Sequence, residues 1–346
     1  MYKINTTFRQ FITTFVRKLI NMSRDLSFIS NPVKAEMDEF CLRYKESLSS
    51  SNILLQQVIE HVTQKHGKMM RPLLLLLITK MFGKVTPAAY HAAVSLELLH
   101  TATLIHDDVV DESDKRRGQP SVNAAFNNKI AVLSGDFFLA TALQQVSLTR
   151  HFEIVDIVAR LGQLLSDGEL LQLYNIANNT LSYDVYFDII RNKTAILFSS
   201  CGRAGAIAAG ADAEKVETAA TFGEYIGLCF QIKDDIFDYF DQQALGKPTG
   251  NDMKEGKLTL PVLYALNSTS DSRYLKLAEK VRNFEANDAE IAQLIEFTKQ
   301  QNGIEYAYQI IDEIKEKASA LLADAPDSEI KESLKAYLDY VVDRDH

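Results

Sequence analysis

Two clusters of aspartate residues stand out in this chain because each could hold a metal ion. Each cluster has two adjacent aspartates and a third one three residues farther on, within an otherwise apolar stretch. The clusters are Asp107, Asp108 and Asp111, and Asp234, Asp235 and Asp238. Carboxylates four residues apart lie on one face of an α-helix, so each cluster concentrates negative charge there. Because repelling carboxylates are costly in apolar surroundings, we expect cations between the two clusters.

Mg²⁺ is the cation that suits these ligands. It prefers hard oxygen atoms and keeps several waters, so it is usually bound by one or two carboxylates together with substrate phosphates. The sequence therefore predicts two acidic helix faces opposite each other across a cavity, with several diphosphate-bound Mg²⁺ ions between them.

Basic and polar residues accompany the acidic clusters. The motif GKMMRP contains Lys68 and Arg71 at the predicted start of a helix, where N–H groups and the helix dipole favour anions. His100 precedes Asp107 by two helical turns and so shares its face. The other candidates are Arg116, Arg117, Lys193, Thr194, Gln231, Lys247 and Lys257. A metal site with many Lys and Arg residues is typical of proteins that bind phosphate oxygens and stabilise them as a leaving group.

Helices are the elements that must position these side chains. From about Pro32 onward, apolar residues recur at spacings of three and four, and glycine and proline fall mostly between the periodic stretches. The clearest irregular loop runs from Leu245 to Pro261. No Ser/Pro-rich linker or low-complexity tract divides the chain, so we predict an all-α fold with a single helical catalytic domain over residues 22–346.

The composition excludes several classes of protein. The 346 residues carry a net charge of −9, which argues against a nucleic-acid-binding surface. The three cysteines, Cys41, Cys201 and Cys229, are far apart and have neither disulfide-framework nor zinc-site spacing. No run of about 18 apolar residues would span a membrane. These features predict a reducing, cytoplasmic location.

Residues 1–21 differ from the rest of the chain. They are basic, they precede the first acid, Asp25, and their apolar residues recur at helical spacing. This pattern predicts a basic amphipathic helix that would lie on an anionic membrane surface. A second interpretation stays open, because Met22 looks like an ordinary start and the upstream part would then be a dispensable or non-native extension.

Five motifs together resemble those of the trans-isoprenyl diphosphate synthases, the polyprenyl synthetases. In chain order they are GKMMRP, LLHTATLIHDDVVDESDKRRGQPSVN, NKTA, FQIKDDIFDYF and GKPTGNDMKEGKLTLP, which together cover Gly67 to Pro261. The resemblance implies an all-α fold around a deep central cavity. It also implies a head-to-tail condensation of isopentenyl diphosphate onto an allylic diphosphate, and a homodimer.

The resemblance also implies roles for individual residues. The residues expected to ligate Mg²⁺ directly are Asp107, Asp111 and Asp234, with the other clustered acids orienting metal-bound waters. Those expected to bind isopentenyl diphosphate are Lys68, Arg71, His100 and Arg117. Those expected to hold the allylic diphosphate are Arg116, Lys193, Lys247 and Lys257, with Thr194 and Gln231 beside the reacting carbons. The chain departs from many relatives in having Met69 and Met70 where they have further arginines.

The length of the product is expected to depend on the helix turn before the first cluster. The growing tail should pass Ala102 and Thr103, which are both small. Bulky aromatic residues there would close the cavity, so we predict a medium- or long-chain all-trans product, such as the side chain of a respiratory quinone. The floor of the cavity is then expected deeper, near Leu96, Leu99 or Phe138.

Three other functions stay open. A class I terpene cyclase shares helices and one aspartate-rich motif, but it usually has an Asn/Ser/Glu metal site in place of the second cluster and needs no isopentenyl diphosphate pocket. A metal-dependent phosphohydrolase would use the pair His106 and Asp107, although the other histidines do not have ligand spacing. A non-catalytic subunit of a heteromeric prenyl synthase tends to lose its aspartates, whereas this chain has all six.

Overall fold

The described part of the chain is almost entirely helical. The computed structural model describes residues 26–65, 67–178, 181–240 and 249–344. Within these ranges the strands are two-residue segments, Lys115–Arg116 (β1) and Gln119–Pro120 (β2), which pair antiparallel with Lys115 opposite Pro120. The predicted all-α fold is confirmed. The predicted extension at residues 1–21 lies outside the described residues, and its boundary stays a prediction.

Within the described residues the α-helices, numbered α1 to α17 in chain order, have the following bounds. They are Leu26–Ser30, Lys34–Ser47, Ile53–Thr63, Met70–Phe82, Pro87–Val110, Val122–Ala125, Asn128–Leu148, Phe152–Asn178, Tyr183–Ile190, Ile196–Ala208, Ala213–Phe237, Asn251–Lys254, Leu260–Asn267, Ser272–Arg282, Asp288–Gln300, Gly303–Leu321 and Glu329–Asp343. A 3-10 turn, Asn31–Val33, precedes α2, and a π-helical turn, Arg191–Ala195, joins α9 to α10. The segment predicted as an irregular loop thus contains the short helix α12.

Helix α4 lies at the centre of the core. Its run of five leucines, Leu73–Leu77, is buried on every side, as expected for a helix without a polar face. Helix α10 packs closely against it, because a Cβ atom at Gly205 would lie 2.6 Å from the Leu75 carbonyl oxygen. A Cβ atom at Gly202 would lie 2.1 Å from the Ala219 carbonyl oxygen of α11. Small residues on α10 therefore let α4 and α11 each pack closely against it.

Helix α7 packs along α5 with one face only. The buried Ser95 hydroxyl of α5 donates a hydrogen bond of 2.8 Å to the Ala142 carbonyl, and Phe138 is fully buried. On the opposite face Val132, Leu133 and Leu143 are exposed. Among the described helices, α7 has the length and apolar character to cross a membrane, and 39% of that stretch is buried inside the protein. Its packing along α5 is what an ordinary core helix shows.

Candidate active site

The first acidic cluster lies where α5 ends. Asp107 and Asp108 are in the last turn of the helix, and Asp111 follows its final residue and donates its backbone N–H to the Asp107 carbonyl at 2.8 Å. Burial raises the pKa of Asp107 to about 6, and the nearby charge of Glu169 adds to this rise while Lys193 opposes it. Burial likewise raises the pKa of Asp111. Burial and neighbouring acids thus outweigh the nearby cations at both carboxylates.

Asp108 points to a different contact from its two neighbours. Its buried carboxylate accepts a hydrogen bond of 2.9 Å from Arg116 Nε and a second, very short one from Arg116 Nη2. Arg116 is in β1, and Asn123 of α6 donates to the Asp108 carbonyl at 3.1 Å. Asp108 thus ties the hairpin that carries Arg116 and Arg117 to the end of α5.

The π-helical turn carries the next pair of candidates. Lys193 forms an ion pair with Glu169 of α8 and donates a 3.0 Å hydrogen bond to Gln172. A Cβ atom at Gly168 would lie 3.0 Å from Lys193 Cγ, so the glycine lets α8 pass close to this turn. A π-helical turn inserts an extra residue into the helix and is often found at functional sites. Here it brings Lys193 and Thr194 to the acidic side of α8.

The second acidic cluster lies where α11 ends, and Asp235 is its buried member. Its carboxylate accepts hydrogen bonds from the Tyr186 hydroxyl at 2.6 Å and from Gln231 Nε2 at 2.8 Å. Thr194 donates its hydroxyl to Gln231 Oε1 at 2.7 Å. Burial raises the pKa of Asp235 to about 7 although both hydrogen bonds lower it, and the charges of Asp234 and Asp238 add to the rise. The network fixes the carboxylate but does not neutralise the cluster.

The other two members of this cluster have separate partners. Asp234 forms a 2.6 Å ion pair with Nη2 of Arg344, just beyond the end of α17. Arg344 also donates to the Phe230 carbonyl at 2.8 Å and lies over the Phe230 ring. Asp238 accepts hydrogen bonds from backbone N–H groups at the start of α12, from Asn251 at 2.8 Å and from Asp252 at 3.2 Å. Asp234 is thus held by a cation, while Asp238 orders the segment that leads to Lys257.

Lys193 and Lys257 connect the two clusters. Both ammonium groups lower the pKa of Asp111, and Asp111 in turn helps to raise the pKa of Lys257 against the effect of burial. The same two lysines line a cavity of about 160 Å³ together with Asp235 of the second cluster and the neighbouring Gln231. The two acidic clusters therefore face a common region of the protein and share its cations.

A second, larger cavity is strongly basic. It measures about 660 Å³, and the cations among its described lining residues are Lys65, Lys68, Arg71, Arg117 and Arg344. The ammonium group of Lys68 lies over the Tyr340 ring and the guanidinium of Arg71 over the Phe198 ring. Arg117 donates to the Lys65 carbonyl at 3.1 Å. Such a cavity fits a diphosphate group.

His100 lies close enough to this basic region for its arginines to act on the imidazole. Burial lowers the pKa of its imidazole well below the usual value, and the charges of Arg71, Arg117 and Arg116 lower it further. The ring can therefore act there as a neutral hydrogen-bonding group.

The comparison with known proteins decides which family has this arrangement. A family model described as polyprenyl synthetase matches residues 52–298, which include both acidic clusters and most of the residues that line the basic cavity. The chain belongs to the polyprenyl synthetase family.

Relatives of this polyprenyl synthetase agree with the match over nearly the whole chain. The octaprenyl diphosphate synthase of Haemophilus influenzae is 35% identical over 300 residues, 86% of this chain and 91% of the relative. The protein named heptaprenyl diphosphate synthase component 2 in Geobacillus stearothermophilus is 34% identical over 321 residues, 92% of this chain and 98% of the relative.

Solved structures show the same fold. The geranylgeranyl pyrophosphate synthase of Bacteroides thetaiotaomicron has a TM-score of 0.82 and 52% identity, covering 92% of this chain and 99% of the other. A decaprenyl diphosphate synthase from Rhodobacter capsulatus has a TM-score of 0.87 and 32% identity, covering 92% and 99%. The isoprenoid-synthase type of fold expected from the sequence is confirmed.

The donor set of the synthetase fits a cation that is brought by a diphosphate. Among the described residues, no three acidic, His or Cys side chains are grouped so that they could hold a metal ion alone. Burial and neighbouring acids raise the pKa values of Asp107 and Asp235, so a cation bound beside them would stabilise both carboxylates. This is the arrangement expected when Mg²⁺ takes only one or two carboxylates from the protein and completes its shell with phosphate oxygens and water.

The remaining candidates have different positions. Lys247 lies outside the described residues. Ala102, Leu96 and Leu99 are buried in the core on α5, and Phe138 is buried on α7. Thr103 is half-buried and donates its hydroxyl to the His100 carbonyl at 2.9 Å. Their effect on product length stays a prediction.

Several residues at the site were not singled out from the sequence. They are Glu97, Glu169, Gln172, Tyr186, Asp252 and Arg344. The GNDMKEGK stretch does mark Asp252, because it follows the second cluster and precedes Lys257. The others lie in ordinary helical patterns, and only the packing of distant helices brings them to the cavities.

Proposed function

We propose that this synthetase condenses isopentenyl diphosphate successively onto an allylic diphosphate, with the allylic diphosphate held between the two acidic clusters. Its family and its relatives make it an all-trans polyprenyl diphosphate synthase, a prenyltransferase. The observation that carries the proposal is that Lys193 and Lys257 lower the pKa of Asp111 in the first cluster and line one cavity with Asp235 of the second. Cations placed between two sets of acids can hold a diphosphate and its counter-ions there.

Asp107, Asp111 and Asp234 would hold the Mg²⁺ ions. When bound, these ions supply Lewis-acid stabilisation of the diphosphate leaving group. Arg344 now occupies one oxygen of Asp234 and must yield that position for the carboxylate to bind Mg²⁺. Asp108, Asp235 and Asp238 support the site from behind through the contacts described above.

Lys193, Lys257 and Arg116 bind the allylic diphosphate as its C–O bond breaks and the electron pair leaves with the diphosphate. Their fixed positive charges stabilise the developing negative charge. The hydroxyl of Thr194 and the amide of Gln231, bonded to each other, orient the region beside the reacting carbon. Lys247 is expected to join this set.

Lys68, Arg71, His100 and Arg117 bind isopentenyl diphosphate in the basic cavity. They orient its double bond towards the allylic carbon, where a new C–C bond forms at the terminal carbon of isopentenyl diphosphate. The proton lost from the adjacent methylene passes to the departing diphosphate. The apolar walls exclude water, which would otherwise convert the allylic cation to an alcohol.

Ala102 and Thr103 support a medium- or long-chain product. Ala102 is small and buried on the helix that leads to Asp107, so the tail does not meet an aromatic ring there. We propose the side chain of a respiratory quinone as its use. The names of the relatives range from geranylgeranyl to decaprenyl synthases, so product chromatography must determine the number of units.

The exposed apolar face of α7 supports a homodimer. Val132, Leu133 and Leu143 lie on one side of the helix, which is a pattern that a second copy of the same helix can bury. Sedimentation analysis of Leu133→Glu/Leu143→Glu should show a monomer where the unchanged chain is a dimer. A monomeric unchanged chain would contradict this proposal. The relative named as component 2 makes a heteromeric partner the alternative outcome.

A cytoplasmic enzyme with a peripheral membrane contact is also part of the proposal. The described cysteines carry free thiols, in agreement with a reducing compartment. Residues 1–21 would supply the contact through their basic residues. Flotation with vesicles containing anionic lipid should retain the full chain and lose a chain that begins at Met22. Equal retention of both would contradict a role for this segment.

Incubation with radiolabelled isopentenyl diphosphate, farnesyl diphosphate and Mg²⁺ tests the function. Chromatography of the dephosphorylated product should show a ladder of linear prenyl alcohols. A cyclic hydrocarbon would indicate a terpene cyclase, and release of phosphate alone would indicate a phosphohydrolase. Activity that appears only after a second protein is added would indicate one subunit of a heteromeric synthase.

A further inference from the structure

One acidic side chain lines the otherwise basic cavity. Among the described residues around this 660 Å³ space, five are cationic and Glu97 alone is acidic. Glu97 is on α5, ten residues before Asp107, and only 6% of it is exposed. It also lines a smaller neighbouring cavity together with Arg116 and Arg117. A carboxylate in this position repels a diphosphate. Its presence is explained if it positions the cations that bind the diphosphate.

One buried polar atom in each of Glu97 and Arg71 has no hydrogen-bond partner within the described part of the chain. These atoms are Oε2 of Glu97 and Nε of Arg71. Buried polar atoms of this kind are rare, and each calls for an explanation. Burial raises the pKa of Glu97, and the charges that oppose this rise come from Arg71 and Arg117. Glu97 is also the leading charge that stabilises the cationic form of Arg71.

The two arginines need such a counter-charge. Arg71 lies with its guanidinium 4.8 Å from the centre of the Phe198 ring, and Arg117 donates to the Lys65 carbonyl. These contacts are neutral and leave the repulsion between the two cations uncompensated. The charges of both arginines lower the pKa of His100, so both lie near its imidazole. Glu97 is the acidic residue that faces both arginines from the cavity wall, and its charge offsets their repulsion.

We infer that Glu97 is a positioning residue that keeps the guanidinium groups of Arg71 and Arg117 directed at the basic cavity before isopentenyl diphosphate arrives. The inference rests on the proposed function, which assigns these arginines to that substrate. Cations that are already in place do not have to be ordered on binding, so the substrate binds more tightly. Glu97 acts through the arginines and not on the reacting carbons.

The test is Glu97→Gln, which keeps the size of the side chain and removes its charge. We expect the KM for isopentenyl diphosphate to rise about tenfold, because the two arginines lose the buried acidic charge that faces them. The KM for the allylic diphosphate and kcat should change less than about twofold. Glu97→Asp should recover part of the loss. The matched control is Glu36→Gln, which removes another partly buried acid, paired with Lys80 at 2.6 Å, and should leave both KM values unchanged.

A double variant separates positioning from a purely structural role. Because Glu97 acts through both arginines, Glu97→Gln should raise the KM for isopentenyl diphosphate by a smaller factor in the Arg117→Gln background than in the unchanged chain. An unchanged KM in folded Glu97→Gln, or independent effects in the double variant, would overturn the inference. If Glu97→Gln does not fold, Glu97→Asp replaces it, and an unchanged KM there is the contradicting result. Elongation by the unchanged chain tests the proposed function separately.

Discussion

At the residue scale, five of the six clustered aspartates divide into two kinds, and Asp234 stands apart because it is paired with Arg344. Asp108, Asp235 and Asp238 are committed to protein contacts with Arg116, with Tyr186 and Gln231, and with the start of α12. Asp107 and Asp111 have raised pKa values and face Lys193 and Lys257. Aspartates in one motif therefore have two roles, one in binding cations and one in holding the protein structure. Substitutions should distinguish these roles.

Asp107→Asn and Asp108→Asn should fail in different ways. We expect Asp107→Asn to lower kcat about 100-fold or more through a lost metal ligand, while the free energy of unfolding without Mg²⁺ is unchanged or increased because repulsion is relieved. Asp108→Asn should lower the free energy of unfolding by about 1–3 kcal/mol, because it weakens a buried partner of Arg116. Steady-state kinetics and urea denaturation of both variants check this. Equal losses of stability would contradict the division.

The lowered pKa of His100 leads us to predict that the free energy of unfolding depends on pH. Its pKa is lowered in the folded protein, so the unfolded chain binds the proton more readily once the pH falls below about 6.5. The stabilisation from the neutral ring is therefore present above that pH and is lost as the pH decreases. Urea denaturation between pH 8 and pH 5 should show a larger fall in the free energy of unfolding for the unchanged chain than for His100→Gln. Parallel curves would mean that the imidazole is not held neutral.

Helix ends position the chemistry at the element scale. Both acidic clusters stand at the C-terminal ends of long helices, α5 and α11, where the helix dipole is unfavourable for anions. The π-helical turn and the end of α17 bring Lys193 and Arg344 to these same ends. Cations from other elements thus offset the local negative charge when the cluster holds no metal ion.

Arg344 should therefore compete with Mg²⁺ for Asp234. We expect Arg344→Gln to lower the Mg²⁺ concentration for half-maximal activity a few-fold, measured with both diphosphates saturating, because Asp234 no longer has to release an ion pair. Arg273→Gln is the control, since that exposed arginine pairs with Asp271 away from the site. A higher Mg²⁺ requirement in Arg344→Gln would show that Arg344 assists and does not compete.

The turn of α5 before the first cluster should set the length of the product. Ala102→Phe places a ring on the path expected for the tail, so chromatography should show shorter prenyl alcohols than those of the unchanged chain. Circular dichroism must confirm that the variant is folded, because Ala102 is closely packed. An unchanged distribution from a folded variant would refute this direction for the tail.

At the scale of the whole molecule, features with a periodic or repeated sequence pattern could be predicted. Contacts between residues far apart in the chain depend on packing and could not. Helical spacing and the two matched clusters predicted the all-α fold and most of the acidic and basic side chains at the site. No local signal placed Arg344 against Asp234, because 110 residues separate them. Glu97 and Glu169 lie in ordinary helical stretches and reach the cavities only through the packing of α5 and α8.

The central claim is that two distant acidic clusters form one diphosphate site. A crystal structure with Mg²⁺ and an unreactive thiolo analogue of farnesyl diphosphate tests it most directly. We predict that Mg²⁺ ions bridge the diphosphate to Asp107 and Asp111 on one side and to Asp234 on the other, with Lys193 and Lys257 on its oxygens. Ions at only one cluster, or a diphosphate bound away from both, would contradict the claim.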